Sequence, residues 1–409
     1  MGLLLLRKKK VLLKNVENRM NNCFLLRNVI VYFGMGFLPE SNAVACRELA
    51  MAELIKKSGY VPILIGIENH IPFGEYKENE CFGIRCYSIR YPRTMIERIY
   101  DTEVVHKAVI KILEHIGVNR IKCLIMQDYQ LIPMVYLKRY SKKRGISFAV
   151  DVMDWFVPNR DYPVVKNILK AIDTVFRMRF FYRFLKNRIF ISHKFYNFFH
   201  KSDVKNDCVI PCTKRTLNQN YTAGKSDEKI ITFAGFPGRH FEKEKLDWIV
   251  QALYENKSKM MLNIVGVSEK QFLNADSDLK RYLSNRIHFY GHVPHEECAE
   301  VLRNSDFSII ARKKTKLSEY GFSSKICEAM AYNIPVITTR VGDNSLYIQD
   351  GVNGFLCNPD YESLKALLCR VETLSPEQIQ QMKKNISKVN VLAVSKFSST
   401  FSEFLIRLQ

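Results

Sequence analysis

The run Asn28-Val-Ile-Val-Tyr-Phe33 empties directly into Gly34-Met-Gly36, and a helical period begins at Ala43. The run is β-branched and aromatic, the composition of a strand buried on both faces. Val44, Leu49, Leu54 and Ile55 then repeat at helical spacing up to Lys-Lys-Ser-Gly59. Gly59 fits the position just past a helix end. Val61-Pro-Ile-Leu-Ile65 reads as the next strand. Strand, glycine turn, helix, strand is the opening of a doubly wound parallel sheet.

The alternation continues. Strands are predicted over 122–126 and 147–152, with a helix over 132–143 between them. A second series starts with a strand over 230–233 that ends at Gly235. A helix over 247–255 follows, then strands over 261–265 and 287–290, each closed by a glycine, Gly266 and Gly291. A helix over 296–303, a strand over 307–311, a helix over 324–332 and a strand over 335–338 complete it. The predicted fold class is α/β, two facing Rossmann-like domains over 1–210 and 211–385, with a boundary near Ile210-Pro-Cys212. The tail over 376–408 reads as helix with a break near Asn390, and 386–409 is expected to pack back on the first domain. Ligands are expected between the domains, at the carboxyl ends of both sheets.

Composition narrows the function classes. Apolar residues are 47% and charged residues 25%, which excludes a disordered or fibrous chain. The formal charge is +21, from 62 basic against 41 acidic residues, and it favours anionic partners. The 11 cysteines show no CxxC pair, so reduced thiols are expected. Leu3-Leu-Leu-Leu6 precedes Arg7-Lys-Lys-Lys10, the wrong order and too short for a secretory leader, and Leu6 breaks a myristoylation pattern. No apolar run of about 18 residues occurs. The expected location is cytoplasmic, with a peripheral place on the inner face of the plasma membrane.

The stretch from Arg312 to Asn358 carries the most chemistry. Tyr320-Gly-Phe-Ser-Ser-Lys-Ile-Cys-Glu-Ala-Met-Ala331 turns from a glycine into a helix. Ser323 or Ser324 is a natural cap, and first-turn amides bind phosphate. Glu328 lies one turn on, on the side of Ser324, where a carboxylate can accept two hydrogen bonds from a ribose diol. Pro335-Val-Ile-Thr338 and Asn353-Gly-Phe-Leu356 follow.

This block resembles the donor half of retaining glycosyltransferases of the GT-B fold, family 4 type, in the bacterial capsular and O-antigen polysaccharide group. The family pattern has a carboxylate eight residues before the ribose Glu. Here that position is Tyr320, and the adjacent Glu319 is the expected substitute. Phe233-Ala-Gly-Phe-Pro-Gly-Arg-His240 resembles the first strand and loop of the family's second domain. The resemblance implies that Arg239 and Lys245, six residues apart, grip the donor diphosphate, with Lys243 as the alternative to Lys245. Lys325 is a third cation. Gly34 and Gly36, followed by Asn42-Ala-Val-Ala-Cys-Arg47, resemble the glycine loop that lets backbone approach the donor. Asp151-Val-Met-Asp-Trp155 resembles the group's Asp-x-x-Glu-Trp, which makes Asp154 the residue that orients an acceptor hydroxyl and Trp155 a sugar platform. His292 and His295 lack further ligands at metal spacing. Asp276-Ser-Asp278 reads as a polar helical stretch, so no metal site is assigned.

A different signal runs over 164–188, where seven basic residues face one acid, Asp173, among interleaved apolar and aromatic side chains. Such a helix suits an anionic membrane surface, or else buries its apolar face in the domain. The expected activity is transfer of a sugar from a nucleotide diphosphate to a glycan or lipid-linked glycan acceptor, with retention and without metal or other cofactor. It would serve capsule or O-antigen synthesis. An epimerase or inverting transferase on the same fold is the alternative. A nucleic-acid-binding protein is a further one, disfavoured because no recognition module appears.

Overall fold

A computed structural model describes residues 27–38, 43–155, 163–200, 205–215 and 228–408. The basic N-terminal block and Asn42 lie outside them. Contacts divide the chain into two units, 1–150 with 405–409, and 151–404.

The first sheet contains β1 (Val29–Phe33), β2 (Val61–Glu68), β3 (Tyr76–Cys81), β4 (Ile84–Arg90), β5 (Ile121–Gln127), β6 (Ser147–Val152), β7 (Asn187–Phe190) and β8 (Asn206–Val209). Its order is β3-β4-β2-β1-β5-β6-β7-β8. Every residue of β1 is buried, as its apolar run predicts. β1 lies parallel to β2 and β5, with Val31 beside Ile63 and Leu124. β3 and β4 form an antiparallel hairpin turned by Phe82 and Gly83, both with positive φ. That pair of left-handed residues matches the twist a two-residue hairpin needs. Polar β3 carries no apolar alternation, which is why the sequence reading has no strand there.

The second sheet contains β9 (Ile230–Ala234), β10 (Met261–Val265), β11 (Ile287–Gly291), β12 (Phe307–Ile310), β13 (Val336–Thr339) and β14 (Gly354–Cys357). Its order is β11-β10-β9-β12-β13-β14, and all its pairs are parallel. Counted from β9, this is the 3-2-1-4-5-6 order of a doubly wound sheet. Ile231, Phe233, Leu262 and Ile264 pack with Leu246, Ile249 and Leu253 of the helix Leu246–Glu255 in one core. The order reverses between β9 and β12, and a crevice outside their carboxyl ends is where such sheets bind ligands.

The 164–188 stretch is not one helix. An α-helix Val164–Phe176 passes into a π-helical turn Arg177–Phe181 and a 3-10 turn Tyr182–Phe184, and Arg188 already belongs to β7. Arg188 is buried. Its Nε and Nη2 donate to the two carboxylate oxygens of Asp207 at 2.7 and 2.6 Å, and its Nη1 donates to the Tyr182 carbonyl. Arg177 pairs with Asp173 at 2.6 Å. Two of the seven basic residues therefore serve the fold. Asp276-Ser-Asp278 opens a 3-10 helix, Ser277–Tyr282, with Asp276 as its cap. The tail divides into the helix Pro376–Lys388, a 3-10 turn Val394–Phe397 and the helix Ser398–Ile406.

Breaking a buried ion pair on one side leaves a charge without water. Arg188→Met is expected to cost about 3–5 kcal/mol in urea denaturation. The double variant Arg188→Met with Asp207→Leu should recover most of that loss.

Candidate functional site

Gly235 follows β9, and Arg312 lies just past β12, so both stand at the reversal of the second sheet. Between them sits Glu244, fully buried. Its Oε1 accepts from Arg312 Nη2 at 2.7 Å and Nε at 3.2 Å, and its Oε2 accepts from Lys325 Nζ at 2.5 Å. Arg312 Nη2 also donates to Ser323 Oγ at 3.2 Å. Ser323 stands at the N-cap position of the helix Ser324–Ala331, without a side-chain capping bond, so both cations converge on that helix start. The amides of a helix's first turn have no intrahelical acceptor and favour an anion. Burial alone would raise the Glu244 carboxyl, but Lys325 and Arg312 pull it down to about 2. Burial lowers the Lys325 ammonium from its usual value, and Glu244 opposes that.

Gly235 makes this arrangement possible. Its φ is +124°, and a Cβ there would lie 2.3 Å from Lys325 Cε. The lysine stem thus lies across bare backbone. A Cβ on Gly266, which follows β10, would in turn come 3.0 Å from the Gly235 backbone. Glycine at both strand ends is a steric requirement of this crowded corner.

A second group lies one turn along the helix. Glu328 Oε1 meets His295 Nε2 at 3.1 Å and Lys214 Nζ at 3.3 Å. Burial raises the Glu328 carboxyl, but these two partners outweigh it, and the group sits below its usual range. A third group precedes the helix. Glu319 accepts from Lys194 Nζ and, at 3.1 Å, from the Gly342 amide. Asp343 Oδ2 accepts from the His193 backbone amide at 2.6 Å and faces its Nδ1 at 3.0 Å. The hydrogen bond that the His193 imidazole gives to Asp343 raises it above its usual value.

Of the sequence candidates, Lys325, Ser323 and Ser324 meet at the reversal. Glu328 is on the same helix, and Glu319 is on the helix Lys316–Tyr320 before it. Asp154 is exposed and close to Gly321, where a Cβ would come 3.3 Å from its Oδ1. Trp155 keeps protein company, with Tyr320 at 4.8 Å and Phe198 at 5.3 Å between ring centroids. Tyr320 belongs to that aromatic cluster, which also takes in Phe195. Arg239 is exposed on the loop after β9 and lines a cavity of about 500 Å³ with Phe236, Gly238, His240 and Gln271. Lys245 is half-buried, with its Nζ 5.9 Å from the ring of Phe241, which lines the same cavity. Its Nζ pairs with Asp247 at 2.7 Å, 5.6 Å from the Trp248 ring. Lys243 is exposed. Gly34 and Gly36 belong to the first unit. There they ride on buried Glu48, whose Oε1 accepts the Gly36 amide at 2.6 Å. Burial raises the Glu48 carboxyl to about 8. Sequence reasoning missed Glu244, Arg312, Lys214 and the His295 contact. The one signal for Arg312 is its place directly after a strand. Among the described residues no group of three or more His, Cys, Asp or Glu side chains could hold a metal ion.

Two outcomes test these electrostatics. A carboxylate depressed from 4.5 to about 2 stabilises fully above 4.5, and that contribution is lost as pH falls through 2. The wild type should lose about 3 kcal/mol across that acid range that Glu244→Gln does not lose, read by urea denaturation at each pH. Asp343→Asn should return His193 toward the ordinary value of 6.5 in an NMR titration.

Residues 228–373 match the family described as glycosyl transferases group 1. No curated protein matches the chain. Sucrose-phosphate synthase from Thermosynechococcus elongatus is similar in structure at a TM-score of 0.68 and 15% identity, with 93% of this chain and 99% of that chain covered. The Anabaena protein Alr3699/HepE in complex with UDP and glucose reaches 0.60 at 13% identity, covering 93% of this chain and 100% of that one. The lipopolysaccharide outer core galactosyltransferase WaaB reaches 0.57 at 13% identity, covering 92% and 99%. At such identities the likeness is one of fold. The segment match and the shared architecture together support a glycosyltransferase of the GT-B fold.

Proposed function

We propose that this protein transfers a sugar from a nucleotide diphosphate donor to a glycan or lipid-linked glycan acceptor, with retention of configuration, in cell-surface polysaccharide synthesis. The observation that carries the reading is the buried Glu244 carboxylate that fixes Arg312 and Lys325 at the reversal of the second sheet, beside a helix start. When the bond from the sugar's anomeric carbon to the diphosphate breaks, negative charge grows on the leaving oxygen. Cations already held in place stabilise that charge without reorganising. The acceptor oxygen forms the new bond on the same face, and its proton passes to the departing phosphate oxygen. Retention therefore needs no protein nucleophile and no metal. Arg239, on its exposed loop, adds positive charge from the strand next to the reversal. Glu328, kept ionised by His295 and Lys214, is the acceptor of hydrogen bonds from the ribose hydroxyls.

This assignment refines the expectation for Lys245. Lys325 and Arg312, already fixed by Glu244, join Arg239 and Lys245 as cations for the diphosphate; like them, Lys245 has an acid partner, Asp247. The complexes of the Anabaena protein with UDP support a uridine donor as the first to try. Glu319 and Asp154 stay as the candidates for contacts to the transferred sugar and the acceptor.

A panel of nucleotide sugars, screened by thermal shift and then by transfer, identifies the donor. Lys325→Met should lower kcat roughly 100-fold. Glu328→Ala should mainly raise the donor KM, by about tenfold. NMR of the product should show the donor's anomeric configuration. Inversion, or full activity in both variants, would overturn the reading.

A further inference from the structure

Nine of the 22 exposed large apolar side chains among the described residues fall within 164–184. On the α-helix Val164–Phe176 they form one face. At about 100° per residue, Val165, Ile168, Leu169, Ile172 and Phe176 fall inside an arc of about 140° that also takes in Val164 and Val175. Val164 is 74% exposed and Val165 64%. Phe180 and Phe184, 52% and 72% exposed, carry the apolar surface past the π-helical turn. The side that meets the fold is narrow and separate, formed by buried Thr174, Met178 and Tyr182. On the helix itself the buried position is Thr174, and the broad apolar face is turned to solvent.

Charge borders that face. Lys166 and Lys170 lie about 60–100° beyond the arc's edge on the same helix. Arg179 and Lys186 are exposed after it. The one acid of the stretch, Asp173, is held by Arg177. Asp173 lies about 40° past the same edge, and an apolar face edged by this net surplus of lysine and arginine complements a surface with an oily interior and an anionic skin. A protein interface of ordinary composition would deplete lysine instead. Among the described residues no helix is long and apolar enough to cross a membrane, so this contact lies along the bilayer and does not span it.

We propose that 164–184 is a membrane-docking face. The helix Val164–Phe176 lies in the plane of an anionic bilayer, with its exposed valine, isoleucine, leucine and phenylalanine side chains below the headgroups and its lysines among the phosphates. The inference deepens the proposed transfer by naming the surface on which a lipid-linked acceptor would be met. Its test reads vesicle binding and not transfer, so either reading can fail alone.

The full chain is sedimented with phosphatidylcholine vesicles, with and without phosphatidylglycerol. Binding is expected to the anionic vesicles and to fall as salt rises. The variant Val165→Gln with Leu169→Gln and Ile172→Gln should bind roughly tenfold or more weakly while melting no lower than the wild type. Lys166→Glu with Lys170→Glu should weaken anionic binding by about 30-fold or more. A face covered by another stretch of the chain would leave the wild type in the supernatant, and that result overturns the proposal. So does a glutamine variant that keeps its vesicle binding. A glutamine variant that turns a dimer into a monomer without changing vesicle binding identifies a second copy as the occupant, and overturns it too.

Discussion

One buried carboxylate between two cations organises the second unit. Glu244 is inaccessible to water, so neither Arg312 nor Lys325 can leave it without exposing an uncompensated charge to low dielectric. The two cations in turn tie three separate places together: the loop after β9, the end of β12 and the start of the helix Ser324–Ala331. A doubly wound sheet supplies a crevice wherever its strand order reverses, and this pair of ion contacts gives that crevice its positive charge. The fold supplies the location and Glu244 the rigidity. The chemistry proposed for the site follows from having both before a ligand arrives.

The two other carboxylates near that helix show the same principle with looser geometry. Glu328 is half-buried between an imidazole and a lysine, and Glu319 between a lysine and a backbone amide. Each is held ionised by a partner that a ligand's hydroxyl groups could join or displace. The difference is one of depth: Glu244 is sealed among protein groups, whereas Glu328 and Glu319 keep part of their surface exposed.

Much of this was legible in the sequence. Val29–Phe33 and Met261–Val265 announce themselves because a strand buried on both faces must be continuously apolar, and the glycines that follow mark where the backbone is crowded. Lys325 and Glu328 were legible from the turn into their helix. Glu244 was not, since Glu242-Lys-Glu-Lys245 reads as a solvated charge run, and its partners lie 68 and 81 residues away. Local pattern carries no information about a pairing that only the sheet's strand order creates. The opposite error occurs at 164–188. Its charge count was right, but Arg188 belongs to a buried strand, because a pair with Asp207 cancels the charge that composition alone assigns to the surface. Lys245 shows the same limit in miniature. Spacing from Arg239 cannot reveal that Asp247, two residues on, already holds it.

The bare backbone at Gly235 has an evolutionary corollary. Because a Cβ at 266 would crowd the Gly235 backbone, and one at 235 would meet the stem of the lysine that Glu244 holds, these four positions are coupled. A lineage that acquires a side chain at 235 must shorten or reroute residue 325 in the same step, and then find a new counterion for position 244. Substitutions at this corner should therefore be inherited as a block, and a distant relative that differs at one of the four should differ at several.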